Sequence, residues 1–166
     1  MRKNNYIVIL VGVCGTGKSA LGQNIAQKLD VPFFDADKLG ASAEQIGNRL
    51  PQEIDLEKWL TSVEELIIEQ SHKKGGVISC SLLKKEQRKL LTAKIDHQLD
   101  WVFMKNSFEN VVERVELIGG HNRAVSLLKT DFETLESPKR ALTIDMTNTE
   151  QEIVDTILKY LARKYG

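Results

Sequence analysis

The sequence predicts an α/β protein in which helices cover both faces of a parallel sheet. Three observations carry this. Short apolar runs rich in β-branched residues alternate with amphipathic stretches of helical period. No repeat, low-complexity tract or Pro/Gly/Ser-rich linker interrupts that alternation. The glycine-rich stretch GVCGTGKS (12–19) stands where the first strand hands over to the first helix. A chain of 166 residues suits one domain with a sizeable core.

The elements follow in order. YIVILV (6–11) is an uncharged, β-branched run and reads as a buried strand. The next stretch, 19–29, sets Leu21, Ile25 and Leu29 four residues apart, which makes a helix with one apolar face. PFFD (32–35) is a short second strand. A helix over 56–70 ends at HKKGG, VISCS (77–81) is the third strand, and 83–93 is helical. DWVFM (100–104) is the fourth strand. Phe108, Val111, Val112 and Val115 then share one helical face until GGHNR (119–123) breaks the helix. A further helix covers 124–135, and LTIDM (142–146) is the fifth strand. Thr149 and Glu152 fit a capping box that opens a last helix, with Ile153, Val154, Ile157, Leu158 and Leu161 as its inner stripe.

Composition narrows the function classes. Lys plus Arg and Asp plus Glu are both 23, so no overall positive field favours nucleic acid, and basic and aromatic residues do not interleave as on a single-strand-binding surface. The longest apolar run, 6–11, is far too short to span a bilayer, and no charged start leads into an apolar secretion segment. Two distant cysteines, Cys14 and Cys80, do not make a disulfide framework, and with three scattered histidines they do not make a zinc site. The expectation is a cytoplasmic protein without nucleic-acid or membrane partners. Trp59 and Trp101 read as core aromatics, and Cys80 as a packing residue in its strand.

In open parallel sheets, ligands gather beyond the carboxyl ends of the strands, so the residues just after each strand are the candidates. GVCGTGKS matches G-x-x-x-x-G-K-[ST], with a strand before it and a helix after it. Gly12, Gly15 and Gly17 let the backbone turn tightly and bring its N–H groups near phosphate oxygens, and the helix points its positive end at the same place. The expected nucleotide-binding residues are Gly12, Val13, Cys14, Gly15, Thr16, Gly17, Lys18 and Ser19. Within them Lys18 reaches the β- and γ-phosphates, and the Ser19 hydroxyl ligates Mg²⁺. Cys14 lies where a helix N-terminus can acidify a thiol, but a small filler of a variable loop position is the plainer reading.

The acceptor side begins at DAD, where Asp35 and Asp37 follow the second strand. Two such carboxylates can divide two jobs: Asp35 holding Mg²⁺ and Asp37 taking the proton of an acceptor hydroxyl. A solvated acidic turn is the alternative. After the third strand, Lys84, Lys85 and Arg88 lie on adjoining helical turns, where like charges repel mildly unless an anion joins them. Arg88 suits a bidentate grip on a carboxylate or phosphate, although an exposed basic face explains the same spacing. Arg114 precedes the glycines at 119 and 120 and can reach a transferring phosphoryl group or be a plain surface charge. Those glycines suggest a mobile lid around 117–126, from which His121 touches substrate or simply faces solvent. His72 and His97 sit in polar turns and carry no assignment.

GVCGTGKSALG, VPFFDADKL, VISCSLLKKEQRKLL and SLLKTDFETLESP together resemble the gluconokinases, in that order and at similar spacing, over about 6–161. The CS-x-LKK-x-x-R and F-x-TLE-x-P segments are the specific part; the phosphate loop is shared with a vast superfamily. The resemblance implies a three-layer α/β/α P-loop kinase fold with a five-stranded parallel sheet, and transfer of phosphate from Mg·ATP to D-gluconate, giving 6-phosphogluconate. It implies ATP binding at Gly12 to Ser19, metal and acceptor handling by Asp35 and Asp37, acceptor binding near Lys84 and Arg88, and a role for Arg114 on the transferring phosphate. Glu136 and Pro138 would lie beside the adenine, and the protein would be a homodimer. Three departures stand out. Leu39, Gly40 and Ala41 replace the usual L-H-P after the aspartates, EIDLEKW shortens the acidic stretch, and LIGGHNR puts Ile118 where a lid arginine is expected, with Arg123 beyond His121. Three readings follow: a kinase of a small sugar acid, most directly gluconate; a kinase of another acceptor such as shikimate; or a nucleotide-binding sensor or partner protein with little turnover.

Overall fold

The structure, a computed structural model, describes residues 5–13, 17–36, 56–81, 84–118 and 125–165. Among them the chain runs β1 (Ile7–Val11), α1 (Lys18–Leu29), β2 (Phe33–Asp35), α2 (Leu56–Ser71), β3 (Gly76–Cys80), α3 (Lys85–Thr92), β4 (Leu99–Lys105), α4 (Phe108–Ile118), α5 (Val125–Thr134), β5 (Leu142–Asp145) and α6 (Glu150–Tyr165). The described strands form one sheet in the order β2-β3-β1-β4-β5, and every neighbouring pair is parallel. The expected five-stranded parallel sheet is therefore present, with element ends shifted by one or two residues, where caps rather than periodicity decide the boundary.

Strand β1 is central and wholly buried, which explains its uncharged, β-branched sequence. Val8 and Leu10 point into a cluster with Leu21 and Ile25 of α1 and Ile153, Val154, Ile157 and Leu161 of α6. Ile7, Ile9 and Val11 point the other way, onto Leu60, Val63 and Ile67 of α2 and Leu91 of α3. One strand thus divides the molecule into two apolar layers by its period-two alternation. A third, smaller cluster joins Val13, just past β1, to Val111 of α4 and Leu128 of α5. Trp59 and Trp101 pack against the second layer, as their core reading requires, and Cys80 is fully buried there.

Local chemistry sets the element ends. Gly17, with φ of 94°, caps α1 without a side-chain bond, so the first-turn N–H groups of that helix have no side-chain cap. Gly22 lets α1 lie close to the sheet: a Cβ there would come within 2.3 Å of the Phe33 ring. The capping box before α6 is formed, with the Glu152 amide donating to the Thr149 hydroxyl at 3.2 Å and the Thr149 amide donating to the Glu152 carboxylate at 3.3 Å. At the amino-terminal edge of the sheet the buried Asp100 of β4 accepts from Lys164 at 2.5 Å and from the Tyr165 hydroxyl at 2.6 Å, which ties the end of α6 to the sheet. The Tyr165 ring also meets that of Tyr6 at a centroid distance of 4.9 Å. No described helix is long and apolar enough to cross a membrane.

Candidate active site

The parallel sheet brings the ends of β1, β2 and β3 to one edge, and the candidate residues converge there. Lys18 opens α1 and is only 7% exposed. A buried ammonium needs oxygen partners, and it donates to the Gly12 carbonyl at 2.5 Å and to the Ser81 hydroxyl at 2.9 Å. The next residue, Ser19, sets its hydroxyl 3.5 Å from an Asp35 carboxylate oxygen. Asp35 pairs in register with Ser79, two places on from the Phe33 and Val77 pair, so both side chains lie on the α1 face of the sheet. The Ser79 hydroxyl is buried and has no hydrogen-bond partner among the described residues.

Arg114 reaches the same edge from a different layer. Val111 of α4 packs on Val13 beside the phosphate loop, and Arg114 is one helical turn further along the same face. Its guanidinium lies over Gly17: a Cβ built on that glycine would stand 3.1 Å from a terminal nitrogen. The arginine is otherwise exposed, so its charge faces the loop and solvent.

The two cations expected on the acceptor side differ from each other in burial. Lys84 is exposed at the N-cap position of α3, where its amide donates to the Gln87 side chain at 3.3 Å. Arg88 is 7% exposed, and one terminal guanidinium nitrogen donates to the Glu136 carbonyl at 2.6 Å. The Glu136 carboxylate in turn accepts from the Lys85 amide at 3.2 Å, so the segment after α5 is clasped to the start of α3. Burial pushes the Arg88 guanidinium below its ordinary range, and the nearby Glu136 and Cys80 counter part of that shift. The Trp59 indole donates to the Ala36 carbonyl at 2.7 Å and anchors the backbone directly after Asp35.

Cys14, Gly15, Thr16, Asp37 and His121, with the lid glycines at 119 and 120 and the Leu39, Gly40 and Ala41 departure, lie outside the described residues. The described part brings Gly12, Val13, Gly17, Lys18, Ser19, Asp35 and Arg114 together at one edge, with Lys84 and Arg88 on the helix that follows β3. Sequence reasoning passed over Ser81, the partner of Lys18. The signal was available, since Ser81 follows β3 directly and β3 neighbours β1.

These residues fit a magnesium nucleotide. Ser19 and Asp35 offer hard oxygens of the kind Mg²⁺ prefers, few enough to leave room for water and phosphate. Lys18, Arg114 and the first turn of α1 offer cationic and N–H groups to a polyphosphate. The arrangement can hold a triphosphate tail by its end and place charge around a phosphoryl group.

The shikimate kinase family model matches residues 14–162. The thermoresistant gluconokinase of Escherichia coli (strain K12) is 32% identical over 139 residues, covering 81% of this chain and 79% of that protein. Among solved structures, a gluconokinase from Sinorhizobium meliloti 1021 superposes with a TM-score of 0.81 at 33% identity, over 98% of this chain and 94% of that one. A shikimate kinase from Acinetobacter baumannii, solved with shikimate, shares the fold with a TM-score of 0.64 at 18% identity, over 98% of this chain and 96% of that one. Kinship along most of the chain thus agrees with the edge-of-sheet geometry, and the protein belongs to the shikimate kinase family and, within it, to the gluconokinases, kinases that phosphorylate a hydroxyl group.

Proposed function

We propose that the protein transfers the γ-phosphoryl group of ATP to a hydroxyl of D-gluconate, yielding 6-phosphogluconate and ADP. The observation that carries this reading is the convergence of Lys18, Ser19, Asp35 and Arg114 on one strand edge in a chain of gluconokinase descent. The acceptor oxygen forms a bond to the γ-phosphorus as the bond to the bridging oxygen of ADP breaks, and the hydroxyl proton passes to a carboxylate. Asp37 is the base in this reading, two residues beyond the metal-side Asp35. Lys18 and Arg114 spread positive charge over the phosphoryl oxygens as they move, which is where most of the rate of such a reaction originates. Ser19 and Asp35 would hold Mg²⁺, which when bound neutralises phosphate charge. In this reading Lys84 and Arg88 hold the acceptor carboxylate and His121 contributes to acceptor binding, while Arg88 also donates to the Glu136 carbonyl. We read the chain as one kinase domain with a lid around 117–126, working in the cytoplasm as a homodimer.

The test is ADP release from Mg·ATP in the presence of separate sugar acids and shikimate. Stimulation by gluconate above all others is expected. A second reading, a nucleotide-binding protein with little turnover, is favoured by Ile118, which stands where the resemblance to the gluconokinases implies a lid arginine. Tight ATP binding without stimulation by any acid would replace the kinase reading with that one.

A further inference from the structure

Lys18 is gripped from two parts of the chain that serve different ends of the reaction. Gly12 belongs to the phosphate loop. Ser81 follows β3 directly, and from it the chain runs on to Lys84 and α3 on the acceptor side. The two bonds therefore join the nucleotide half of the edge to the acceptor half through one ammonium. The chemistry of the Ser81 partner matters as well. A hydroxyl is a neutral acceptor on a short side chain, so it fixes the ammonium with little loss of rotamer freedom. It binds the cation less strongly than an anionic phosphate oxygen does, because charge-assisted bonds between ions are stronger than those to neutral groups. The ammonium is thus held in place yet turns to an arriving phosphate at small cost.

We infer that Ser81 is a positioning residue for Lys18: its hydroxyl holds the ammonium at the carboxyl end of β3, aimed at the terminal phosphate of the nucleotide. The inference rests on Lys18 as a phosphate ligand and not on the identity of the acceptor. Ser81 acts through Lys18 and so sets the preference for a triphosphate over a diphosphate, along with kcat.

The experiment compares Ser81→Ala, Ser81→Thr and Ser81→Val with the unaltered protein. Titration calorimetry measures binding of Mg·ADP and of a magnesium complex of a non-hydrolysable ATP analogue. The alanine and valine variants should lose about tenfold of the preference for the analogue, the size of one hydrogen bond's net contribution, with a similar fall in kcat. The threonine variant keeps the hydroxyl and should stay near the original values. Thr and Val share one shape, so that pair decides the matter even when the alanine variant folds poorly. In a Lys18→Ala background, Ser81→Ala should change nothing further. Equal weakening of both nucleotides, a valine variant equal to threonine, or an additional loss without Lys18 would each overturn the proposal. A protein that phosphorylates no sugar acid would refute the kinase reading alone, because the calorimetric comparison still reads Ser81.

Discussion

The guanidinium of Arg114 lies against Gly17, with a terminal nitrogen 3.1 Å from where a Cβ on that glycine would stand. A helix from one layer therefore delivers a cation to the first turn of α1 in another, and a Cβ at 17 would push the guanidinium back by a few tenths of an ångström. Gly17 also has φ of 94°, a conformation that side chains rarely adopt. Removal of the guanidinium in Arg114→Ala should lower kcat by about 10³-fold, the scale of an arginine on a transferring phosphoryl group. The melting temperature should hardly move, because the residue is exposed. Steady-state kinetics with a thermal melt check this; an unchanged kcat would return Arg114 to the status of a surface charge.

Asp35 stands 3.5 Å from the Ser19 hydroxyl and pairs in register with Ser79. Asp35→Asn keeps the shape and removes the charge. It should raise the Mg²⁺ concentration needed for half-maximal turnover by about 10–100-fold, as expected for losing an oxygen partner around a metal. A magnesium titration at saturating ATP reads this directly. A variant with the original magnesium dependence would place the metal elsewhere.

Arg88 combines two roles that substitution can separate. Its donation to the Glu136 carbonyl is buried, so Arg88→Ala should cost about 1.5–3 kcal/mol of stability, the range for a hydrogen bond from a charged group. An acceptor-binding role adds a rise in the KM for gluconate at little change in the KM for ATP. Loss of stability with both KM values intact would leave Arg88 as a clasp only. Chemical denaturation and two-substrate kinetics supply the comparison.

The knot of Asp100, Lys164 and Tyr165 makes stability sensitive to alkali. Burial pushes the Tyr165 phenol well up, and the bond and charge of Asp100 add to it. Burial lowers Lys164, but the bond to Asp100 and its charge outweigh that and leave it raised. Groups raised in the folded state contribute fully below their ordinary values, near 10, and that contribution is lost as the pH climbs through the raised values. The melting temperature should therefore hold up to about pH 10 and then fall. Tyr165→Phe should be about 1–2 kcal/mol less stable at neutral pH and decline less steeply in alkali. Identical alkaline slopes for the two proteins would remove the phenol from the account.

The sheet was legible because its cause is local. The run from Ile7 to Val11 has no charge to expose, and GVCGTGKS needs a strand before it and a helix after it. The capping box of Thr149 and Glu152 was legible for the same reason. Contacts across long sequence distances were not. Lys18 and Ser81 are 63 residues apart, and Lys164 and Asp100 are 64 apart, so no window of the sequence holds either pair. Arg88 shows a subtler limit. It sits among Lys84, Lys85 and Lys89 and reads as one member of a basic face, yet it is buried along with Leu91. The spacing of three between Arg88 and Leu91 was the sign that it turns inward with the apolar side of α3.

The bond from the Trp59 indole to the Ala36 carbonyl gives the protein an optical reporter of its own. Indole emission responds to polarity and to hydrogen bonding at its N–H, and this N–H is tied to the backbone link between Asp35 and Asp37. Any shift of that link on acceptor binding will change the colour or brightness of the light Trp59 gives off. With Trp101→Phe as a single-emitter background, substrate arrival can be followed in real time without a dye.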